Sequence, residues 1–462
     1  MRVVMRESAT RPAATVLVVS SAAFLASLDL FIVNIAFPEI RRAFDSADLG
    51  STSWVLNGYT LVFAAFMNPA GRLGDRYGHR RLFLWGLAVF MLASAACGFA
   101  ASLVMLIASR VVQAVGAAML MPSSLALLLA AVPAARRAVA VSTWSAVAAM
   151  AAALGPPVGG LLVEMSWRWI FFVNLPLGLL ALALGPMVLA KTSTTGAGIP
   201  DLFGALSLVV GVGALVWALI ELPAAGWGAT KIVLATTGAA CALALAVWRS
   251  LRHPSPALDL VVVRLVPMWS SCLALLLFAA AFAAMLLGSV MLLTVVWGKA
   301  PDEAGLCLSP GPAVVVLVSL TLAGRLIDKA GVGAVAALGA GLYVVGILIW
   351  LLRITPEPNY LADFLPGQVF TGAGVGLVMP SLSAVAGLAL PSHRWGAGSA
   401  LTNTARQLGT VLGTAVLTML YQPGIDLTAI RRGWGFVVTA AGAAALIAAV
   451  LAIRWRVAGE KA

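Results

Sequence analysis

The sequence predicts an all-α integral membrane protein, and three observations lead to this fold class. Hydrophobic residues make up 62% of the 462 residues and charged residues only 10%, whereas soluble domains have roughly 45–50% and about 25%. Apolar runs of about 20 residues, the length that crosses a bilayer as a helix, recur along the chain. Two stretches of the chain also repeat one pattern of residues. The composition excludes a water-soluble globular protein.

Charged, proline and glycine clusters separate fourteen apolar runs, each of which is a predicted transmembrane helix. They lie at about 14–37, 52–70, 82–101, 103–124, 139–162, 169–190, 202–221, 231–248, 270–297, 306–323, 332–352, 364–387, 397–420 and 434–454. The first run is too long for the core of a signal peptide, so we take it as the first helix. The predicted divisions are a cytoplasmic N-terminus (1–13), a six-helix half (14–190), a linker with two extra helices (191–264), a second six-helix half (265–454) and a cytoplasmic C-terminus (455–462).

The positive charges predict the orientation of the chain in the membrane. With the N-terminus in the cytoplasm, 19 of the 29 lysines and arginines fall on the cytoplasmic side and 8 on the other. Basic residues are enriched in cytoplasmic loops, which predicts that both termini are cytoplasmic. The net charge of +12 therefore reflects topology, and we expect no nucleic-acid partner. The four cysteines lack metal-ligand spacing, so we expect no metal site and no cofactor.

An internal repeat indicates two homologous halves. The segment from Gly71 to Gly78 returns as Gly324 to Gly331, with Asp328 in the place of Asp75. Further matches pair Met121-Pro122-Ser123 with Met379-Pro380-Ser381, Gly116 with Gly374, Arg136 with Arg394 and Gly155 with Gly413. Because each half begins on the same side, the repeat is parallel, and such halves enclose a site near the membrane midplane. Helices seven and eight have no partner in the repeat and are predicted to be an insertion.

Two buried charges are the strongest candidates for a functional site. At 1.5 Å per residue, Asp29 lies about 13 Å from the outer end of its helix, where a charged side chain costs about 2.5–3.5 kcal/mol. Arg110 lies at a matching depth, about 11 Å from the outer end of the fourth helix. We expect Asp29 to bind and release a proton and Arg110 to hold it deprotonated by pairing with it. A structural role for Arg110, capping neighbouring carbonyls, is the alternative.

Several motifs together resemble the major facilitator superfamily, and among its branches the fourteen-helix drug:proton antiporters. They are Leu28-Asp29 with Val33-Asn34 and Pro38, Gly71-x-Leu-x-Asp75-Arg-x-Gly78-x-Arg80-Arg81, Arg110-x-x-Gln113, Gly155-Pro156-x-x-Gly159-Gly160, Trp167-Arg168-Trp169 with Asn174, and Asn403-x-x-Arg406-Gln407-x-Gly409. The resemblance covers almost the whole chain. It departs from the family at Ala114 and Ala151, where glycines are usual.

The resemblance assigns roles to two of these motifs. It implies a conformational latch at the cytoplasmic surface, formed by Gly71, Asp75, Arg76, Gly78 and Arg80, with Asp328 in the shorter copy. It also implies that Gly155, Pro156, Gly159 and Gly160 form the antiporter motif, a tight seal between the halves. Solvated topology charges and small-residue helix packing are the respective structural alternatives.

A central cavity is the predicted substrate site. We expect it to be lined by Asn34, Trp54, Asn57, Gln113, Asn403, Arg406 and Gln407. The rest of the lining is expected to be Met, Phe, Leu and Ala, which favours lipophilic substrates. A structural role is the alternative for the last three of these residues.

The predicted function is a proton-coupled antiporter that exports lipophilic drugs or antibiotics across the bacterial cytoplasmic membrane by alternating access. We expect it to be no enzyme, to act as a monomer in the lipid bilayer, and to have small lipophilic molecules and protons as its partners. A dedicated exporter of an endogenous secondary metabolite and a proton-coupled nutrient symporter are the alternatives. A membrane-embedded enzyme is disfavoured because His79, His253 and His393 all fall in predicted loops.

Overall fold

The computed structural model describes residues 12–44, 48–133, 137–190, 198–226, 228–258, 260–390, 395–422 and 424–459. Most of the predicted N-terminal segment 1–13, as well as Arg136 and Arg394 of the repeat, lies outside them. The helices are α1 (Pro12–Ala43), α2 (Leu49–Tyr77), α3 (His79–Gly98), α4 (Leu103–Ala131), α5 (Arg137–Met165), α6 (Trp169–Phe172), α7 (Asn174–Val188), α8 (Leu202–Ala225), α9 (Thr230–Arg252), α10 (Leu260–Val263), α11 (Val266–Met291), α12 (Pro301–Leu308), α13 (Pro310–Val318), α14 (Gly324–Ala330), α15 (Val332–Arg353), α16 (Leu365–Ala389), α17 (Trp395–Tyr421) and α18 (Leu427–Gly459). The described residues contain no strand, which confirms the all-α class.

Within the described residues, three π-helical segments lengthen the adjoining α-helices. Leu292–Val296 extends α11, Ser319–Ala323 joins α13 to α14, and Tyr360–Phe364 leads into α16. Counting such joined helices once, eleven spans in the described part of the chain are long and apolar enough to cross a membrane. The chain is therefore a multi-pass membrane protein. The remaining long helices are α2, α5 and α17, and the count of fourteen spans stays a prediction.

The two halves repeat the same local packing. Gly86 on α3 and Gly116 on α4 bring their backbones so close that an added Cβ at Gly116 would lie 2.8 Å from the Gly86 carbonyl oxygen. Gly339 on α15 and Gly374 on α16 do the same, at 2.6 Å for an added Cβ on Gly374. Small residues allow this backbone approach between helices in a membrane. The same contact therefore recurs between corresponding helices of the two halves.

Positive backbone φ angles mark the two copies of the repeated loop. Gly78, between α2 and α3, has φ of 94°, and Gly331, between α14 and α15, has φ of 82°. Glycine adopts this conformation without the steric cost that a Cβ carries. We call the end of the bundle that carries the Gly78 loop and its arginines the arginine-rich end, and the other the opposite end.

The halves meet along two seams. One lies between α2 and α17, and the other between α5 and the α12–α13 pair. The hairpin of α8 and α9 packs beside the first seam, where an apolar cluster joins α8 to both halves. The cluster includes Leu61 of α2, Val216 of α8 and Val411 of α17. The inserted helices therefore bridge the two halves rather than standing apart from them.

Candidate functional site

Asp29 and Arg110 form a buried ion pair inside the first half. Arg110 Nη1 lies 2.5 Å from Asp29 Oδ2, and the two side chains are 0% and 1% exposed. Gln113, one turn after Arg110 on α4, donates from Nε2 to Asp29 Oδ1 over 2.8 Å and accepts at Oε1 from Arg110 Nη1 over 2.7 Å. The structure thus brings together three of the residues that the sequence predicts to be functional.

Arg110 has further partners that hold its guanidinium in place. Its Nε donates to the Val55 carbonyl of α2 over 3.2 Å, and its guanidinium carbon lies 4.0 Å from the ring centroid of Tyr59. A guanidinium over an aromatic face gains cation–π attraction, which increases when both groups are desolvated. Arg110 therefore pairs with Asp29 and also binds a backbone carbonyl, so the predicted ion pair and the alternative role of capping a carbonyl occur together.

Two residues of this network were not selected from the sequence. Asn174, at the start of α7, donates from Nδ2 to Asp29 Oδ1 over 3.1 Å and to Ser94 Oγ over 2.9 Å. Ser94 on α3 also accepts from Gln113 Nε2 over 3.2 Å and donates to the Phe171 carbonyl. Asn174 stands in one of the quoted motifs, so its polar side chain in an apolar helix was the available signal. Ser94 carried no such signal.

The network satisfies a carboxylate at Asp29. Its two oxygens accept from three side chains, those of Arg110, Gln113 and Asn174. Removing one partner from a buried ion pair leaves an uncompensated charge, which costs roughly 3–5 kcal/mol. A proton on Asp29 neutralises the carboxylate and likewise leaves the charge of Arg110 uncompensated. The arrangement can therefore exist in two charge states that favour different side-chain positions.

A cavity lies between the halves and consists of two adjacent chambers that share wall residues. The large chamber has a volume of about 160 Å³, and the small chamber about 60 Å³. Both are bounded by residues from each half, including Phe31 of α1 and Phe282 of α11. Arg110 forms part of the wall of the small chamber. The buried ion pair therefore touches the cavity through its arginine.

The predicted cavity residues divide into two groups. Asn34, Arg406 and Gln407 line the small chamber, and Arg406 also lines the large one. Trp54, Asn57, Gln113 and Asn403 line neither chamber. The side chain of Gln113 contacts Asp29 instead, and that of Asn403 accepts from Arg406 over 3.1 Å.

Trp54 and Asn57 have other surroundings than the cavity. Trp54 packs against the apolar cluster beside α8, where its ring approaches Gly213. Asn57 is buried on α2 and donates to Ser53 Oγ over 3.4 Å. The inserted helix α8 covers the face of α2 that carries Trp54, and this is the physical reason for its distance from the cavity.

The glycine-proline motif of α5 lies on the second seam. An added Cβ at Gly155 or Gly159 would meet side chains of α1, whereas one at Gly160 would lie 2.5 Å from the Pro301 carbonyl oxygen and 2.9 Å from Asp302 Cα. The carbonyl of Pro156 is in close contact with Gly305 of α12. At Gly160 the backbones of the two halves therefore touch without a side chain between them.

Two carboxyl groups lie beside this contact at the opposite end of the bundle. Glu164 in the last turn of α5 and Asp302 in the first turn of α12 lie close enough for their charges to interact. Lys299 and Glu303 form a neighbouring ion pair of 3.3 Å. Like charges repel, so the contact between the halves is weaker when both carboxyl groups carry a negative charge.

The predicted latch residues lie at the arginine-rich end and contact groups of their own half. Asp75 pairs with His79 over 3.0 Å, and Arg80 donates to the Pro186 carbonyl of α7. Asp328, in the second copy, is exposed and forms no ion pair within the described residues. Gly71 on α2 faces Pro122 of α4, and Arg76 stacks near the Tyr77 ring. The role of these residues as a latch stays a prediction.

The described residues hold no cluster of three or more His, Cys, Asp or Glu side chains able to bind a metal ion. The four cysteines are unpaired.

Comparisons with known proteins agree with this architecture. The chain matches the Major Facilitator Superfamily over residues 19–297 and 273–462. It is 37% identical over 399 residues to the multidrug resistance protein Stp of Mycobacterium tuberculosis (strain CDC 1551 / Oshkosh), covering 85% of this chain and 73% of that one. The tetracenomycin C resistance and export protein of Streptomyces glaucescens is 33% identical, with 89% of this chain and 76% of that one covered.

A third relative and a solved structure extend over nearly the full length. The methylenomycin A resistance protein of Bacillus subtilis (strain 168) is 32% identical, with 97% of this chain and 95% of that one covered. The crystal structure of a D-xylose-proton symporter superposes with a TM-score of 0.66 at 14% identity and covers 96% of each chain. Two halves around a central cavity, the repeated motifs and these matches lead to one assignment: the chain belongs to the major facilitator superfamily.

Proposed function

We propose that this protein is a proton-coupled antiporter that exports lipophilic drugs or antibiotics across the bacterial cytoplasmic membrane. The observation that carries the proposal is the buried Asp29–Arg110 pair, whose arginine forms part of the cavity wall. A proton that enters at Asp29 and a substrate that enters the cavity thereby act on one connected set of side chains. The names of the relatives, which include resistance and export proteins, support the direction of transport.

The proposed cycle alternates between two charge states of the network. With Asp29 ionised, Arg110, Gln113 and Asn174 hold it inside the first half. A proton arriving from outside removes the charge of Asp29 and leaves Arg110 without its anion, which destabilises this arrangement. Arg110 is then free to reposition at the cavity wall as the halves rock. Release of the proton to the cytoplasm restores the pair and resets the carrier.

The halves rock about the cavity in this proposal. The backbone contact between Gly160 and Pro301 seals the opposite end, which we assign to the outside of the cell. Opening that end to release substrate separates α5 from α12, and the loops of the arginine-rich end close on the cytoplasmic side. We propose that a single copy of the chain performs the cycle, with no cofactor.

The proton gradient supplies enough free energy for export. One charge moving through 100 mV yields about 2.3 kcal/mol, and one pH unit adds about 1.4 kcal/mol. One coupled proton can therefore sustain a substrate gradient of roughly several hundredfold.

The apolar cavity wall argues against a carrier of hydrophilic nutrients. Four of the twenty residues that line the large chamber carry polar side chains: Ser289, Gln368, Thr371 and Arg406. Gln368 donates to the Leu308 carbonyl over 2.8 Å, and Thr371 donates to the Gln368 carbonyl. A sugar-like substrate needs several polar groups to replace its hydration, and an apolar pocket does not supply them.

Transport into inverted membrane vesicles tests the proposal. Uptake of lipophilic fluorescent compounds, energised by a proton gradient, is measured for the wild type, for Asp29→Asn and for the control Glu357→Gln, an exposed acid at the opposite end. We expect a protonophore and Asp29→Asn each to abolish uptake, and Glu357→Gln to retain it. Proton-driven uptake by Asp29→Asn would overturn the assignment of Asp29. Accumulation of a sugar or amino acid together with protons would overturn export. A compound range limited to one chemical scaffold would favour the dedicated exporter.

A further inference from the structure

One cation on the cavity wall has no anionic partner. Arg406 on α17 borders both chambers and makes a hydrogen bond to a neutral acceptor, Asn403 Oδ1, over 3.1 Å. It forms no ion pair with any acidic residue that the structure describes. The buried acid of the first half, Asp29, is already paired with Arg110. Arg406 thus brings an uncompensated positive charge to the mostly apolar wall of the large chamber.

A second donor beside Arg406 also lacks a partner. Gln407 is 2% exposed, lines the small chamber, and its Nε2 atom has no hydrogen-bond partner within the described structure. A buried amide donor without a partner is costly, as is a guanidinium without an anion. Arg406 lies on the wall of both chambers and Gln407 on the wall of the small one, and both side chains are hydrogen-bond donors.

The cavity wall is consequently positive. Its charged residues within the described chain are Arg110, which Asp29 neutralises, and Arg406, and neither chamber is lined by an aspartate or glutamate. Around Arg406, the large chamber presents aromatic and aliphatic side chains such as Phe282, Trp350 and Phe364. A ligand that complements this surface has an apolar body and one negative charge.

Building on the proposed function, we propose that the cavity is a binding site for lipophilic anions, with the acidic group held by Arg406 and Gln407 and the apolar body in the large chamber. A guanidinium binds a carboxylate or sulfonate through paired, charge-assisted hydrogen bonds. The Gln407 amide donates a further bond. A lipophilic cation meets the uncompensated charge of Arg406 instead and is disfavoured.

The anion site and the proton site are separate in this arrangement. Arg406 borders both chambers, whereas Arg110 lines only the small one and is already paired with Asp29. An anion whose apolar body fills the large chamber therefore reaches Arg406 without displacing Asp29 from Arg110. Coupling between the two sites runs through the movement of the halves, since Arg406 belongs to α17 and Asp29 to α1.

Binding of three matched compounds tests the proposal without any gradient. Naphthalene-2-acetate, naphthalene-2-acetamide and 2-(2-naphthyl)ethylammonium share one apolar body and differ in charge. Their affinities are measured for the full-length protein in phosphatidylcholine nanodiscs at neutral pH. We expect the acetate to bind at least about tenfold more tightly than the amide, and the ammonium compound to bind most weakly. Equal affinities for the acetate and the amide, or tightest binding of the ammonium compound, would overturn the proposal with no variant involved.

Variants at Arg406 test whether this residue causes the preference for the acetate over the amide. We expect Arg406→Gln to bind the acetate no more tightly than the amide, and Arg406→Lys to keep the preference for the acetate. Measurable binding of the amide by Arg406→Gln shows that the variant is folded. A preference for the acetate that survives Arg406→Gln would place the anion elsewhere.

Two further binding measurements distinguish a small-molecule anion site from a lipid site and from the proton site. Adding phosphatidylglycerol to the nanodiscs is expected to leave acetate binding unchanged, whereas Arg406-dependent competition would identify the occupant as a lipid headgroup and overturn the small-molecule assignment. Asp29→Asn is expected to retain the charge preference in binding while losing proton-driven transport. In the wild type, proton-driven transport without a preference for the acetate would refute only the anion site, and a preference for the acetate without proton-driven transport would refute only the proton coupling.

Discussion

Asn174 of α7 donates a hydrogen bond to Asp29 of α1 over 3.1 Å. The last helix of the first half therefore takes part in holding the carboxylate, together with α4. Ser94 of α3 connects the same amide to Gln113 through hydrogen bonds of 2.9 and 3.2 Å. Four helices thus converge on one buried acid.

Removing this donor is expected to weaken proton-driven transport. Hydrogen bonds to charged groups contribute about 1.5–3 kcal/mol, so Asn174→Ala leaves the Asp29 carboxylate less stabilised in its network. We expect the rate of proton-driven uptake into inverted vesicles to fall by about tenfold. Ser94→Ala, which touches Asp29 only through its neighbours, is the matched control and should lower the rate less. An unchanged rate in a folded Asn174→Ala protein would show that this hydrogen bond does not support transport.

A methyl group at Gly160 is expected to open the second seam. The added Cβ meets the backbone of Pro301 and Asp302, which has no rotamer to change, and such overpacking costs about 1–3 kcal/mol. Spin labels at Leu161 and Leu306, two exposed positions of α5 and α12, report the separation by pulsed electron paramagnetic resonance in a cysteine-free background. Gly160→Ala should lengthen the distances between the two labels. Gly341→Ala on α15, where an added Cβ meets nothing within 4 Å, should not. Equal distances in both variants would contradict the seal.

The carboxyl pair beside this seam is expected to make it sensitive to pH. Glu164 lies close enough to Asp302 for their charges to interact, so ionisation of Glu164 at alkaline pH adds a negative charge beside that residue. With the same spin labels, we expect longer distances at alkaline than at acidic pH. In Glu164→Gln the distance between the labels should remain short at both pH values. Glu303→Gln, which removes the neighbouring partner of Lys299, is the control and should keep the pH response. A response that persists in Glu164→Gln would assign it to other groups.

Arg80 and Arg81 are expected to differ although they are adjacent. Arg80 donates to the Pro186 carbonyl at the end of α7, whereas Arg81 is exposed. Arg80→Gln should lower the melting temperature of the purified protein by a few degrees through loss of this charge-assisted bond. Arg81→Gln should have no measurable effect. Equal effects of the two substitutions would mean that only the net charge of the loop matters.

Helix depth was sufficient to relate Asp29 to Arg110, because the rise per residue fixes how far a side chain lies from the end of a span. The rotation of each helix about its axis is not fixed in this way. For this reason Ser94 was missed, since a small polar residue is also common at plain helix contacts. The π-helical segments at Leu292, Ser319 and Tyr360 left no recognisable sequence pattern either.

The packing position of the inserted helices could not be predicted from the sequence. A repeat relates the two halves to each other but says nothing of a segment without a counterpart, so the contact of α8 with α2 and α17 followed only from the structure. Trp54 illustrates the result. An aromatic residue on a cavity-forming helix was a reasonable candidate for substrate contact, and it packs instead beside α8.

The α8–α9 hairpin also makes the carrier asymmetric toward the lipid around it. Gln422 at the end of α17 donates to the Ile220 carbonyl of α8 over 3.4 Å, and Asn68 of α2 donates to the Ala257 carbonyl beyond α9 over 2.7 Å. Both ends of the α2–α17 seam are thereby tied to the insertion or to its connecting segment. On this flank two helices therefore lie between the α2–α17 seam and the surrounding lipid. The seam between α5 and the α12–α13 pair has no such covering hairpin in the described part of the chain, so the two seams differ in how much lipid they meet.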